Sequence, residues 1–486
     1  MRRGKAAGAA VAGGGRPMHY QLNTIEQRMS WQGKRIHMVG IGGCGMMGAA
    51  SILADLGARV SGTDRQGFEG VGELVRRGVK VVIGHGAEFV PEGVDIVVRT
   101  AAAPADHVEV RAAESRGAVC LKYAELVGQF MCGRVGVSIA GTHGKTTTTA
   151  MTAHIFRTAG LSPTFVVGAK SSQLGGSAAL GEGPHFIVES CEFDRSFLQF
   201  YPYYATILNI EKDHFDCFPK IEDLVEAFGQ FARQVHPQGR LLVRAEDALA
   251  REAAGQTTAR LETFGLTDGA DWRAEGLVGC RGAFAFTVVY RGRRVLTTHL
   301  KVLGEHNVTN ALSAAAVSIH AGAPPEAVAE ALATFEGAQR RMTFKGVPRG
   351  VTIVDDYAHH PTEIRVTIDA VKRSCDPRRT WVIFQPHQFC RTKYLLEDFA
   401  QSFDAADEVI VPDVYDARSE GGIERDVSSG TLVARMRERG VRVRHVPQLK
   451  EVTEVVASEL VAGDLVLTLG AGDVWKVADE LVARMA

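Results

Sequence analysis

The chain has 486 residues, 45% of them apolar and 23% charged, which is too many for one hydrophobic core and ordinary for a globular protein of roughly two to four domains. Its 55 Lys and Arg against 56 Asp and Glu leave no basic field, so neither nucleic-acid binding nor membrane-surface binding by net charge is indicated. No run approaches the roughly 18–20 apolar residues of a membrane span, and the eight cysteines form no C-x-x-C pair; both features predict a cytoplasmic protein with free thiols and no membrane insertion.

Residues 1–30 are basic and then rich in Gly and Ala. They lack the Leu/Ile/Val core of a signal peptide and read as a disordered leader, with Met18 a candidate start. From Trp31 short β-branched runs alternate with helical stretches, as in parallel α/β domains. RIHMVGI (35–41) predicts a strand, followed by a glycine turn, a helix to about Leu56 and the strand ARVSGTD (58–64). VKVVIGH (79–85), VDIVVRT (94–100) and AVCLKY (118–123) complete a first domain over residues 31–132. Within GIGGCGMMG, Gly40, Gly42 and Gly45 make G-x-G-x-x-G between strand and helix, with Gly43 inside the turn, and Asp64 ends the next strand. That pattern sets a diphosphate at a helix start with an acid for a ribose, without saying which diphosphate. His85 and Thr100 flank the same crevice.

RVGVSIA (134–140) opens a second domain over residues 133–343, and AGTHGKTTTT (140–149) follows at its strand-to-helix junction. Gly141 and Gly144, with Thr142, His143 and Thr147 beside them, let backbone N–H groups close on phosphate oxygens; Lys145 adds a charge and Thr146 a hydroxyl for Mg²⁺. The strict phosphate-loop pattern needs glycine where Ile139 stands. FIVES (186–190) carries Glu189, and ATILNI (205–210) leads into NIEKDHFD with His214. Ligands of open parallel sheets lie at strand carboxyl ends, so both side chains are expected to face Lys145 and to hold Mg²⁺ together with Thr146. A polar β-rich region (240–302) and a helix NALSAAAVSIHAGA close this domain. The third domain, residues 344–486, runs through VTIVDDY (351–357), TWVIFQP (380–386), DEVIVPDV (407–414), VRVRHV (441–446) and DLVLTLGAG (464–472). Its strand ends carry DDYAHHPTEI (355–364) and FQPHQFCRT (384–392), whose aspartates, histidines and arginine are costly to bury without partners. Zinc is a poor occupant, because adjacent His359 and His360 do not share one helix face.

HMVGIGGCGMMGAA, IAGTHGKTTTTAM, ESCEFDRSFL, NIEKDHFD, GEHNVTNALSAAA, RRM, DDYAHHPTEI, FQPHQFCRT and GAGDVWKVADEL, in this order, resemble the motifs of the Mur ligase family. The resemblance implies a three-domain α/β fold: a Rossmann-like N-terminal domain for a UDP-sugar, a central P-loop ATPase domain and a Rossmann-like C-terminal domain for an amino acid. It implies ATP and Mg²⁺ as cofactors, and UDP-N-acetylmuramate, L-alanine and ATP as substrates, in a monomer or weak homodimer serving peptidoglycan synthesis. Lys145, Thr146, Glu189 and His214 carry over as phosphate and Mg²⁺ groups, His306, Asn307 and Asn310 as the adenine side, Arg341 (with Arg340 beside it) as a phosphate contact and Asp356 as the ribose side. His359, His360, His387 and Arg391 carry over to the amino-acid and acyl-phosphate region, Arg391 as partner of the amino acid's carboxylate. Cys191, Gln388 and Met342 depart from the family pattern. Several members also carry a carbamylated lysine about one helix beyond the metal-binding histidine, whereas IEDLVEAFGQFARQV (221–235) has no lysine.

The implied reaction has two steps. A carboxylate attacks the γ-phosphorus of ATP, and an amine then displaces phosphate from the acyl phosphate, with His360 or Asp356 as candidate base. Three alternatives stand beside it: a sister ligase adding a tripeptide to the same sugar nucleotide, an NAD-dependent oxidoreductase built on the first glycine loop, and a nucleotide-binding regulator without turnover. The phosphate loop argues against the oxidoreductase, and the presence of Glu189 and His214 against the regulator.

Overall fold

The computed structural model describes residues 30–416 and 426–486. The expected leader therefore lies, apart from residue 30, outside the described residues. Three sheets follow one another along the chain. The first comprises β1 (Arg35–Val39), β2 (Arg59–Asp64), β3 (Lys80–Ile83), β4 (Ile96–Arg99) and β5 (Val119–Lys122), all parallel, in the order β3-β2-β1-β4-β5. Ile36, Met38, Val39, Ile96, Val97 and Val98 are buried, so the central strands read as continuous apolar runs, as strands covered on both faces do. The order reverses between β1 and β4, which opens a crevice at their carboxyl ends, directly above the glycine turn.

The second sheet has ten strands: β6 (Val135–Ala140), β7 (Thr164–Ser171), β8 (Gly176–Ala179), β9 (His185–Ser190), β10 (Tyr204–Ile207), β11 (Arg240–Arg244), β12 (Arg260–Gly265), β13 (Trp272–Cys280), β14 (Ala283–Tyr290) and β15 (Arg293–His299). Their order is β15-β14-β13-β12-β11-β10-β6-β9-β7-β8. β6 lies between β10 and β9, parallel to both, while β13, β14 and β15 form an antiparallel meander at one edge. The β7–β8 hairpin at the other edge was not anticipated; Gly175 and Gly176, both at positive φ, turn a stretch that reads as loop. The helix Glu305–His320 is buried from Asn307 to Ser318, and its alanines allow close approach on every side.

The third sheet, in the order β16-β17-β21-β18-β19-β20, comprises β16 (Thr343–Gly346), β17 (Thr352–Asp356), β18 (Arg379–Phe384), β19 (Glu408–Val411), β20 (Val443–His445) and β21 (Asp464–Leu469). Only β16 runs antiparallel. One apolar cluster joins the first two sheets: Phe130 packs edge-on against both Trp31 and Phe186, alongside Leu126, Val127 and Phe197. Among the described residues no helix is long and apolar enough to cross a membrane.

Candidate active site

The first crevice assembles as the glycine spacing suggested. The helix Cys44–Asp55 starts directly after the turn, and the Asp64 carboxylate accepts the Gly42 N–H at 2.9 Å, tying the turn to the end of β2. A side chain at position 42 would collide with Phe68 and Asp64, and one at 45 with the Tyr123 hydroxyl at 2.5 Å. Gly43 N–H reaches the Gly40 carbonyl at 3.3 Å, and Thr100 packs against Gly40. His85 is held from behind by Glu109, a fully buried carboxylate that accepts from His85 Nδ1 (2.9 Å), His37 Nε2 (2.9 Å), Thr63 Oγ1 (2.6 Å) and Gly86 N (3.1 Å). Burial opposes its ionisation, but the hydrogen bonds from His37, Thr63 and His85 outweigh it and hold the carboxyl at about 2. Glu109 and His37 escaped the sequence reading; the polar His37 inside an apolar strand was the available signal.

The phosphate loop spans the gap between β6 and the helix Lys145–Thr158, with Gly144 at φ +81° where a Cβ would strike Asn310. Lys145 Nζ donates to Glu192 at 2.8 Å and to the Gly141 and Thr142 carbonyls. Burial disfavours its charge, yet Glu192 more than compensates and keeps the ammonium protonated. Because β9 and β10 flank β6, the loop is bracketed by Glu189 on one side and His214 on the other. Glu189 accepts from Thr146 Oγ1 at 3.0 Å and from Gly168 N at 2.7 Å, and Arg341 Nη2 donates to Thr146 Oγ1 at 3.3 Å. His214 lies 3.6 Å from Glu192; burial lowers its pKa against the pull of Asp213 and Glu192, and among the described residues its buried Nδ1 has no hydrogen-bond partner. Asn209 clamps the loop at both His143 N and His143 O. Glu192, Asn209 and Asp213 lie within these motifs, but their partners here, Lys145, His143 and Arg391, are not legible from the motifs themselves.

A cavity of about 770 Å³ runs from the loop between the second and third sheets, lined by Gly144, Thr147, His306, Asn307, Asn310 and Asp356 among others. Burial lowers His306 to about 4, leaving a neutral ring. A second cavity of about 730 Å³ opens between the first two sheets' units, past Gly48, Lys170 and Ser177. Arg341 and Met342 line both cavities.

Three motif residues, one in the second unit and two in the third, carry contacts that the sequence did not anticipate. His360 was a candidate base, but it caps the helix Pro361–Cys375 through Nδ1 (from Thr362 N, 3.3 Å), and its Nε2 donates to the Lys212 carbonyl at 3.1 Å. With both nitrogens engaged it has no lone pair to offer a proton. Beside the phosphate cradle, the His143 ring lies 3.1 Å from Glu363 and 3.4 Å from Glu211. Burial works against protonation there, but the two carboxylates raise the imidazolium to about 9. Arg391, read as the amino acid's carboxylate partner, donates through Nε to Asp213 at 2.8 Å and through Nη1 to the His387 carbonyl at 3.3 Å. Asp356 accepts Met342 N (2.6 Å) and Ala358 N (2.7 Å); burial lifts its carboxyl to about 6, with Arg341 opposing. His359, lowered to about 4 by burial, stands 5.9 Å from the His387 ring, which stacks on Tyr415.

Comparison with known proteins matches this arrangement. The model of the Mur ligase family catalytic domain matches residues 35–134, that of the Mur ligase middle domain residues 139–318, and that of the Mur ligase glutamate ligase domain residues 340–472. A UDP-N-acetylmuramate–L-alanine ligase of Caldanaerobacter subterraneus is 40% identical over 452 residues, 92% of this chain and 97% of that one. The ligase of the same name from Desulfitobacterium hafniense is 40% identical over 448 residues, 92% of this chain and 99% of that one. The crystal structure of the UDP-N-acetylmuramate–alanine ligase of Thermotoga maritima, 28% identical, superposes with a TM-score of 0.79 over 93% of this chain and 98% of its own. The murein peptide ligase of Psychrobacter arcticus, at 23% identity, shares the fold with a TM-score of 0.70 over 93% of this chain and 99% of its own. The chain belongs to the Mur ligase family.

Proposed function

We propose that this protein is the cytoplasmic ligase that uses ATP to join L-alanine to the lactyl carboxylate of UDP-N-acetylmuramate, an early step of peptidoglycan synthesis. The observation that carries the reading is Arg341. It donates to Thr146 at the mouth of the phosphate loop and lines both cavities, so a carboxylate arriving from one side meets a nucleotide's terminal phosphate from the other.

In this reading residues 31–132 hold the UDP-sugar, with Gly40, Gly42, Gly43 and Gly45 at the diphosphate, Asp64 at the ribose, and His85 and Thr100 on the flanks. Residues 133–343 hold ATP. Residues 344–486 bring L-alanine, with His359, His387 and Arg391 nearest its entry. Gly141 to Thr147 cradle the phosphates, His306, Asn307 and Asn310 face the adenine, and Asp356 faces the ribose across the same cavity. The donor set near Lys145 suits Mg²⁺: a hydroxyl and a carboxylate, hard oxygens, lie 3.0 Å apart, and the neutral His214 keeps an unpaired buried nitrogen. Thr146, Glu189 and His214 would hold the ion, which when bound neutralises charge on the phosphates.

The protein's own groups then act in sequence. Lys145 and Arg341 supply fixed positive charge where the transferring phosphoryl becomes more anionic, so the lactyl carboxylate's attack on the γ-phosphorus needs little reorganisation. ADP departs, and the acyl phosphate is left between the second and third units, where closure keeps water out. The neutral amine of L-alanine adds to the acyl carbon, and the tetrahedral intermediate sheds the amine's proton and expels phosphate, which leaves as hydrogen phosphate carrying it, to give the amide. The deciding experiment measures phosphate release with ATP, Mg²⁺ and UDP-N-acetylmuramate, adding L-alanine, the tripeptide or neither. Release that requires L-alanine supports the reading; release only with the tripeptide assigns the sister activity, and release with neither refutes ligation.

A further inference from the structure

The segment bearing His214 is docked onto the third unit residue by residue. Glu211 accepts from Thr362 Oγ1 at 2.7 Å, the Lys212 carbonyl from His360 Nε2 at 3.1 Å and Asp213 from Arg391 Nε at 2.8 Å, and the Phe215 ring stacks on Tyr394 at 4.7 Å. Asp213 and Arg391 are almost wholly buried, at 6% and 2% exposure. The Asp213 oxygen that takes Arg391 also takes the backbone N–H of His214, at 2.7 Å. His214 itself stands at φ +52°, in the left-handed region that only a few per cent of non-glycine residues occupy, so its bend depends on the contacts that hold it. The bend turns its ring toward Glu192, which in turn holds Lys145 of the phosphate loop.

We infer that Asp213 is a positioning residue through which the seated third unit, by way of Arg391, holds His214 in place at the ATP site. One carboxylate oxygen carries both contacts, so withdrawing Arg391 leaves the bend with the backbone N–H alone. Readiness for phosphoryl transfer is thereby tied to the presence of the unit that delivers the amine, and an open site does not make an acyl phosphate exposed to water. This rests on the reading of His214 as a metal group at the ATP site.

The test uses the full-length protein with ADP and follows Mn²⁺ binding by loss of the free-ion EPR signal. Asp213→Asn and Arg391→Ala are each expected to weaken Mn²⁺ about tenfold, the size of effect found when a partner behind a metal ligand is removed. Arg391→Lys, which keeps the charge, should recover part of the loss. Tyr394→Ala, which removes a docking contact of the same segment without touching Asp213, should stay within twofold of wild type. Arg391 variants carry the test if Asp213→Asn does not fold. Unchanged Mn²⁺ affinity in the Asp213 and Arg391 variants overturns the inference and leaves the metal reading standing, whereas a wild type that binds no Mn²⁺ with ADP refutes both. An equal loss in Tyr394→Ala reduces Asp213 to one docking contact among several and also overturns it.

Discussion

Lys145→Ala separates two consequences of one side chain. In the resting protein the ammonium is 2.8 Å from Glu192, whose side chain is only 1% exposed. Removing one partner of such a buried pair costs about 3–5 kcal/mol, because an unpaired charge is left in a poorly solvated place. His214 stands 3.6 Å from Glu192, and losing the Lys145 charge, one of the causes that lower its pKa, favours its protonation there, which argues for the lower end, about 3 kcal/mol. For a unit of this size each kcal/mol shifts Tm by about 2–4 °C, so a fall of roughly 6–12 °C is expected. In turnover, losing a fixed charge at the transferring phosphoryl costs about 10²–10³ in kcat. The double variant Lys145→Ala/Glu192→Gln removes the orphaned charge as well; it should regain most of the Tm and none of the kcat. Thermal unfolding and phosphate release on the three proteins check this. Recovery of turnover along with stability in the double variant, or a single variant within threefold of wild type, would refute a direct role for the ammonium.

Three further outcomes are expected. His143 is raised to about 9 from a usual 6.5, so its pairing with Glu363 and Glu211 contributes fully below pH 6.5 and fades as pH rises through 9; Tm should fall across that window, and Glu363→Gln should flatten the fall. The helix Ile221–Gln234 contains no lysine, so turnover in carbonate-free buffer should not respond to added bicarbonate, and a mass increase of a carbamate on this helix would contradict that. Gly42→Val should weaken UDP-N-acetylmuramate at least tenfold in calorimetry, since its Cβ would meet Phe68 at 2.5 Å and Asp64 at 2.8 Å, while ATP affinity stays within twofold.

Much of this was legible because it is local. The phosphate loop, the glycine turn and most strand cores are written in consecutive residues, and the predicted strand ends either coincide with the observed ones or miss them by at most three positions, as frayed ends do. Glu189 and His214 come to lie on either side of the phosphate loop because a parallel sheet brings neighbouring strand ends together whatever lies between them. What stayed hidden depends on partners distant in sequence. Nothing near Arg391 announces Asp213, 178 positions away, and nothing near His143 announces Glu363, 220 positions away. The type of residue at a strand end can be read from its neighbours, but the group that claims its hydrogen bonds cannot. That is why His360 read as a base and is a helix cap. The β7–β8 hairpin was missed for a different reason: paired glycines erase the alternation that marks a strand.

The apolar cluster around Phe130 has an evolutionary consequence. A core shared by the first two units makes them one heritable body, since a replacement in either must still fit the other across Trp31, Phe130 and Phe186. The third unit meets the His214 segment through polar pairs, Thr362 with Glu211 and Arg391 with Asp213, and the Phe215–Tyr394 stack, which a short list of residues can reproduce. On the proposed reading, a foreign third unit that keeps those few partners inherits the phosphate site and brings its own choice of amine. Chimeras joined between the helix Pro325–Thr334 and β16 are therefore the natural place to look for altered acceptor choice, and those joined near Gly133 the place to expect insoluble protein.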